Sequence, residues 1–262
     1  MLDERPKDNT ETDLSVIMPC YNEAEVIEKV LFDHLRVITE LRRHEPFSFE
    51  ILVVDDGSND KTPEILARLK DEIPELRVLR NEPNRGIAFT LKRLYCETHG
   101  KTVYLTGSDD QWPAENLALV WKERRDKGYD VVVGVRTNKS EVYSPYRHAV
   151  SSAYNQLTRL ACGVAIGDAG SIKLAPREFY QIPVDSTSLF ESAERLVRAH
   201  HLGWSLGFVP IRFEPRTQGK ARGAALKVVL PALRDLVCVT IKARLRKLGT
   251  KKRIGTGSSP VC

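Results

Sequence analysis

Short runs of consecutive apolar residues alternate along the chain with stretches in which apolar positions recur every three or four residues. The runs at 14–18, 49–54, 76–79, 102–105 and 129–135 have strand length, and several contain continuous apolar stretches, such as 16–18, 51–54 and 131–133. Parallel strands covered on both faces have this character. Between them, 23–43, 63–69, 86–97 and 113–127 are amphipathic with a helical period. Strand and helix in alternation predict βαβ units and an α/β sheet. Thr62 before Pro63 reads as an N-cap followed by the first helical position. Past Arg136 the pattern loosens. Helices are expected over 146–162 and 189–201, a strand over 171–174 and one or two strands over 203–213. Apolar residues at helical spacing then run from Leu226 to Leu248, with a kink expected at Pro231.

A chain of 262 residues with 42% hydrophobic and 29% charged positions is ordinary for a globular protein and buries a core without disulfides. Its five cysteines are scattered with no Cys-x-x-Cys spacing, and the adjacent His200 and His201 diverge on a helix. A zinc site is therefore not expected. No stretch reaches the ~18 apolar residues of a membrane span. Residues 1–13 are polar and lack the apolar core of a signal peptide. A cytoplasmic protein is expected. The net charge of +5 is uneven: from Arg216 onward the chain carries +11, which leaves −6 for the rest. An acidic body with a basic tail points to contact between the tail and something anionic, and the absence of stacking aromatics from that tail argues against nucleic acid.

Three polar clusters follow expected strands. They are Pro19-Cys20-Tyr21-Asn22-Glu23, Asp55-Asp56-Gly57-Ser58 and Gly107-Ser108-Asp109-Asp110-Gln111-Trp112-Pro113. In open α/β sheets, ligands bind beyond the carboxyl ends of the strands. Asp, Ser and Asn are also favoured turn and cap residues, so one such cluster carries no function by itself. Three along one edge do, because crowded carboxylates repel unless a cation or a donor-rich ligand lies between them. No Gly-x-Gly-x-x-Gly follows the first strand, which disfavours a dinucleotide-dependent oxidoreductase.

The segments 15–23 (SVIMPCYNE) and 51–62 (ILVVDDGSNDKT) closely resemble the opening of family 2 glycosyltransferases, which have the GT-A fold. Five later stretches are similar to the polyprenyl-phosphate branch typified by dolichyl-phosphate mannosyltransferase. These are Asn84-Arg85-Gly86, the 109–115 segment, the 130–136 segment ending in Gly134-Val135-Arg136, the 168–174 segment DAGSIKL, and Arg216 with Gly219-Lys220. The resemblance spans about residues 14–225 in the same order. It implies a mostly parallel central sheet flanked by helices, with 1–13 a flexible tail, 14–225 the catalytic domain and 226–262 an amphipathic basic helix and mobile tail.

The resemblance further implies an inverting transfer of sugar from a nucleoside-diphosphate sugar to a lipid phosphate, with Mg2+ or Mn2+ at an Asp-x-Asp-x-Gln motif. Asp109 and Gln111 match its second Asp and its Gln, while Gly107 replaces the first Asp. Asp110, Asp55 and Asp56 are the candidates to supply the lost charge. Asp55 and Asp56 are expected to hold the base or ribose, with Pro19, Tyr21, Glu23 and Gly86 lining the same pocket. Arg136 and Arg216 are expected phosphate clamps, because guanidinium matches phosphate oxygens in a bidentate manner, with Lys220 as a supporting point charge. A phosphate monoester is largely dianionic at neutral pH, its second pKa lying near ~6, and needs no base. Two other readings stay open: transfer to a hydroxyl, for which Asp168 or Glu191 would have to be the base, and a non-catalytic nucleotide-sugar binder. The basic residues after Thr240, following an apolar stripe, have the composition of a helix lying on an anionic membrane surface. That places the protein at the cytoplasmic face.

Overall fold

The computed structural model describes residues 12–215, apart from 165, 187 and 189, together with 231–240. Seven strands form one sheet: β1 (Leu14–Cys20), β2 (Phe49–Asp55), β3 (Leu76–Arg80), β4 (Thr102–Leu105), β5 (Val131–Arg136), β6 (Lys173–Pro176) and β7 (Leu206–Ile211). Their order across the sheet is β3-β2-β1-β4-β6-β5-β7. All pairings are parallel except those of β6, which runs antiparallel between β4 and β5. The mostly parallel α/β sheet expected from the pattern is therefore present.

Among the described residues, eight helices connect these strands: α1 (Ile27–His44), α2 (Thr62–Glu72), α3 (Ile87–Glu97), α4 (Glu115–Lys127), α5 (Lys139–Val142), α6 (Pro145–Cys162), α7 (Arg177–Gln181) and α8 (Glu191–His201). The continuous apolar stretches are explained by alternation. Val16, Met18, Ile51 and Val53 point into one core with Ile27, Leu31, Leu66 and Leu117. Ile17, Leu52 and Val54 point into the other with Leu94, Phe179, Phe190 and Leu196. Both faces of these central strands are covered, so most positions are apolar, and the polar exceptions are paired, Ser15 Oγ donating to Glu50 Oε1 at 2.6 Å.

Local differences from the pattern have physical causes. Helix α1 starts at Ile27 and not at residue 23, because the main chain over 23–26 first makes a turn, with Ile27 N–H donating to Glu23 O at 2.9 Å. Thr62 does not cap α2. Its hydroxyl accepts from Glu23 N–H at 2.9 Å, and Asp60 accepts from Thr62 N–H at 2.9 Å instead. The expected strand at 171–174 begins only at Lys173, after a turn in which Ser171 N–H donates to Asp168 O.

Residues 231–240 are helical, as the spacing predicts. Ala232, Leu236 and Val239 are buried in the second core, and Asp235 accepts from Ser188 N–H at 3.1 Å. Of the expected apolar stripe, Leu236 lies in that core, Leu233 is half-buried and Val237 is exposed. The remainder of the expected helix, 226–230 and 241–248, and the basic tail lie outside the described residues.

Topology sets where chemistry occurs. The chain moves from β1 to β2 and β3 on one side, then returns to place β4 on the other side of β1. The crevice at such a reversal, beyond the carboxyl ends of the strands, is where α/β sheets take ligands. Since β5 and β7 run parallel to β4, and β6 antiparallel, that edge also receives Arg136, the turn before β6 and the chain leaving β7.

Candidate active site

The loops after β1 and β2 are stitched together by their own polar residues. Asn22 N–H donates to Ser58 Oγ at 2.8 Å, Asn59 N–H to Asn22 Oδ1 at 2.8 Å and Ala24 N–H to Asp60 Oδ2 at 3.2 Å. Asn22 takes the left-handed conformation, at φ 56°, which a short amide side chain tolerates. Pro19, Tyr21 and Glu23 are half-buried on this frame. Pro19 O accepts from Ser108 Oγ at 2.8 Å, so the β1 and β4 loops meet directly.

Asp55 and Asp56 are both buried, and both already have partners. Asp55 pairs with Arg80 and accepts from the main-chain N–H and hydroxyl of Ser58. Asp56 accepts from Asn81 Nδ2 at 2.8 Å, Arg85 N–H at 3.0 Å and Gly86 N–H at 2.8 Å. Three accepted bonds each use most of a carboxylate's capacity. The pair shapes the loop that carries Gly86 and the start of α3. Gly57 is obligatory there: it sits at φ 72°, and a Cβ would come within 2.8 Å of Asn84 N.

Asp109 is half-buried after β4, with Gln111 N–H 3.4 Å from its Oδ1. Asp110 turns the other way in a left-handed conformation, at φ 54°, and meets Lys29 Nζ at 2.8 Å. Asp110, Asp55 and Asp56 are thus each held elsewhere, and none makes up for Gly107. Trp112 explains Gly107: a Cβ at that position would approach the indole to 2.8 Å. The indole fills the space that a first aspartate would need. Gln111 is buried, its amide nitrogen donating to Glu214 O at 3.1 Å and its main-chain oxygen accepting from Glu214 N–H at 2.9 Å. A cation would be left the amide oxygen.

Among the described residues no group of three or more His, Cys, Asp or Glu side chains could hold a metal ion. One carboxylate completed by diphosphate oxygens is nevertheless an ordinary Mg2+ arrangement. The residues fit a cation shared with a bound diphosphate, not a protein cage. A cleft beside this loop is lined by Asp33, Asp110, Glu115 and Glu214 around Lys29. Its four carboxylates are unsuited to a diphosphate.

Arg136, at the end of β5, is buried in an aromatic box. The rings of Trp112, Tyr143 and Phe213 lie 5.3, 5.5 and 5.2 Å from its Cζ. It grips Asp168 in bidentate fashion, Nε to Oδ2 and Nη2 to Oδ1 both at 2.6 Å, and its Nη1 donates to the Tyr143 hydroxyl. Lys139 Nζ adds a third contact to Asp168 Oδ2 at 2.9 Å. Burial alone would raise the Asp168 carboxyl, but the hydrogen bonds and charges of Arg136 and Lys139 override it and hold the group below its ordinary 3.8. Glu191 is paired with Arg195. Arg216 and Lys220 lie outside the described residues, and the chain leading to them, 212–215, emerges at the same edge. Lys139 and the aromatic box carried no signal in the sequence. Lys139 reads as an ordinary surface cation until the sheet brings Asp168 beside it.

Behind Asp168, Lys173 is fully buried, its Nζ donating to Ser171 O at 2.8 Å. Burial pulls this ammonium down from 10.5 to about 7, with Asp168 and Glu191 opposing the shift and Arg136 and Arg195 adding to it. Where Lys173 is neutral when folded and charged when unfolded, the unfolded chain binds the extra proton, so stability rises with pH. This contribution is complete above 10.5 and lost as pH falls to about 7. Urea unfolding is expected to gain up to about 1.4 kcal/mol per pH unit within that window. Lys173→Met should flatten the dependence. An unchanged slope in that variant contradicts the assignment.

The family model for glycosyl transferase family 2 matches residues 15–181. The chain belongs to that family. It is 31% identical over 243 residues to a dolichyl-phosphate hexose transferase of Haloferax volcanii, covering 89% of this chain and 96% of that protein. It is also 31% identical over 216 residues to glycosyltransferase AglD of the same organism, covering 79% of this chain and 34% of AglD. An undecaprenyl-phosphate 4-deoxy-4-formamido-L-arabinose transferase of Photorhabdus laumondii is 30% identical over 63% of this chain and 49% of its own length. The chain thus spans about a third and a half of the latter two. Among solved structures, mannosyl-3-phosphoglycerate synthase from Rubrobacter xylanophilus superposes with TM-score 0.66 at 18% identity, covering 93% of this chain and 77% of that one. Glucosyl-3-phosphoglycerate synthase from Mycobacterium tuberculosis, crystallised with Mn2+ and UDP, also gives 0.66 at 18% identity, over 87% of this chain and 78% of that one. These establish the GT-A fold of this family 2 member.

Proposed function

We propose that this chain transfers a sugar, with inversion, from a nucleoside-diphosphate sugar to the phosphate of a polyprenyl phosphate. One observation carries the choice of acceptor. Asp168, a reserve base for a hydroxyl acceptor, is clamped by Arg136 and Lys139 and held below the ordinary carboxylate range. Such a group is a poor proton acceptor at neutral pH. Glu191, the other reserve, is tied to Arg195. A phosphate monoester is already dianionic and attacks without a base. The names of the dolichyl- and undecaprenyl-phosphate transferases among its relatives support the same class.

In this reading the nucleotide lies across the β1 and β4 loops, on the frame of Pro19, Tyr21, Glu23 and the Asp56–Gly86 turn. Asp109, with the Gln111 amide oxygen, faces the diphosphate, where Arg216 and Lys220 add positive charge. Arg136 faces the acceptor. A bound Mg2+ or Mn2+ supplies Lewis-acid stabilisation of the departing diphosphate. The acceptor's chain lies in a bilayer, so the protein works against an anionic membrane surface, at its cytoplasmic face. No described helix is long and apolar enough to cross a membrane.

Purified protein is expected to turn over a nucleoside-diphosphate sugar with a polyprenyl phosphate and not with the corresponding polyprenol. The pH profile should show an acidic limb near ~6, from the phosphate and not from a side chain. Equal turnover of polyprenol ends this assignment.

A further inference from the structure

The surroundings of Asp168 are not balanced in charge. One carboxylate, 3% exposed, faces two cations that are themselves 10% and 13% exposed, Arg136 and Lys139. Lys173 lies behind them against the same 168–171 turn. A buried surplus of positive charge is costly unless an anion completes it. Donor counting gives the same result. A guanidinium has five N–H groups. Arg136 places two on Asp168 and one on Tyr143, so two remain, one each on Nη1 and Nη2. Lys139 gives one of its three N–H groups to Asp168.

The cluster is also open on one side. Gly170 is exposed, and among the described residues a Cβ built on it meets only Arg136 Nη2, at 3.8 Å. The guanidinium is therefore sealed by rings on its faces and approachable over Gly170. In the same turn, Ser171 Oγ is buried with no hydrogen-bond partner. Trp112 links this cluster to the Asp109 loop, since its indole stacks near Arg136 and overlies Gly107.

We propose that Lys139, together with the two remaining N–H groups of Arg136, seats the acceptor's phosphate group, and that Asp168 is a positioning residue that aims both cations. This rests on the acceptor assignment above and adds a residue to it. Phosphate is shared by donor and acceptor, and the chemistry alone suits either. The position decides for the acceptor: Arg136 and Lys139 follow β5, separated from β1 by β4 and β6, while the nucleotide frame follows β1 and β2.

The test uses the full chain and tryptophan fluorescence, with farnesyl phosphate, farnesol, inorganic phosphate, UDP and GDP as probes. Lys139→Met is expected to weaken farnesyl phosphate about tenfold, the scale of one charge-assisted hydrogen bond. UDP and GDP should be unaffected. Lys139→Arg should restore most of the loss, which a merely structural role would not require. The urea midpoint of Lys139→Met should stay near wild type, because Arg136 still balances Asp168. Wild-type affinity for farnesyl phosphate in Lys139→Met overturns the proposal. Weakening of UDP or GDP instead assigns the seat to the donor and overturns it too. If wild-type protein binds farnesol as well as farnesyl phosphate, the acceptor reading itself fails, and this inference with it.

Discussion

Asp168→Asn is expected to destabilise the fold by about 3–5 kcal/mol, the usual cost of leaving buried charges without their partner. The substitution keeps the shape of the side chain and removes its charge. Arg136, in its aromatic box, and Lys139 would then both lose their shared counterion. The double variant Asp168→Asn with Arg136→Met should recover much of the loss, since removing a whole buried pair is far cheaper than removing half of one. The same pair gives a pH dependence of known sign. A carboxyl held below 3.8 in the folded state contributes stability that is present above that value and is lost as pH falls through the lower, folded one. Asp168→Asn should therefore remove part of the acid sensitivity. Chemical denaturation at neutral and at acidic pH checks both points. A loss under about 1 kcal/mol at neutral pH would show that Asp168 is not the counterion of this cluster.

The second large effect concerns catalysis. Asp109→Asn is expected to lower turnover by at least ~10²-fold, the scale of losing a key electrostatic group at a reacting centre. The fold should be untouched, because asparagine can still accept from Gln111 N–H. Manganese-dependent binding of the nucleotide should fall in parallel, read by calorimetry with UDP and GDP in the presence and absence of Mn2+. No neighbour is placed to substitute. Asp110 is held by Lys29, Asp55 by Arg80, and Asp56 by Asn81 and the Arg85–Gly86 main chain. Position 107 is closed by Trp112. Unchanged Mn2+-dependent nucleotide affinity in the variant would remove Asp109 from any metal role.

Strand and helix placement was legible in the sequence because the burial requirement is local. A strand covered on both faces must be largely apolar, and 51–54 reads that way from residue order alone. A helix packed on one side repeats its apolar positions at 3.6 residues, and 27–44 does so, burying Ile27, Val30, Leu31, Val37 and Ile38; 115–127 does not, since it buries Asn116 beside Leu117 and Val120 and exposes Leu119. The loop clusters were legible for a related reason, since chain reversals beyond parallel strands need Asn, Asp, Gly and Ser wherever they occur. The assignment of those clusters to one edge followed from the βαβ alternation.

Partnership was not legible. Asp55, Asp56 and Asp110 look equivalent to Asp109 as residue types, and only the packed structure shows that Asp55 and Asp110 are ion-paired, with Arg80 and Lys29, and that Asp56 is held by Asn81 and the Arg85–Gly86 main chain. The choice depends on Lys29, Arg80 and Asn81, which reach these carboxylates from other elements across separations of 25 to 81 residues. Gly107 departs from the family pattern because the indole of Trp112 lies over it. Leu236 and Val237 shared one expected apolar stripe, yet Leu236 is buried in the core and Val237 is exposed. Period states that a face is apolar, and tertiary contact decides what covers it. The sequence by itself determined the α/β alternation, the chemistry available at the carboxyl edge and the family resemblance. The tertiary structure decided which charges are paired, because ion pairing falls off over a few ångströms and no rule of sequence spacing encodes those distances.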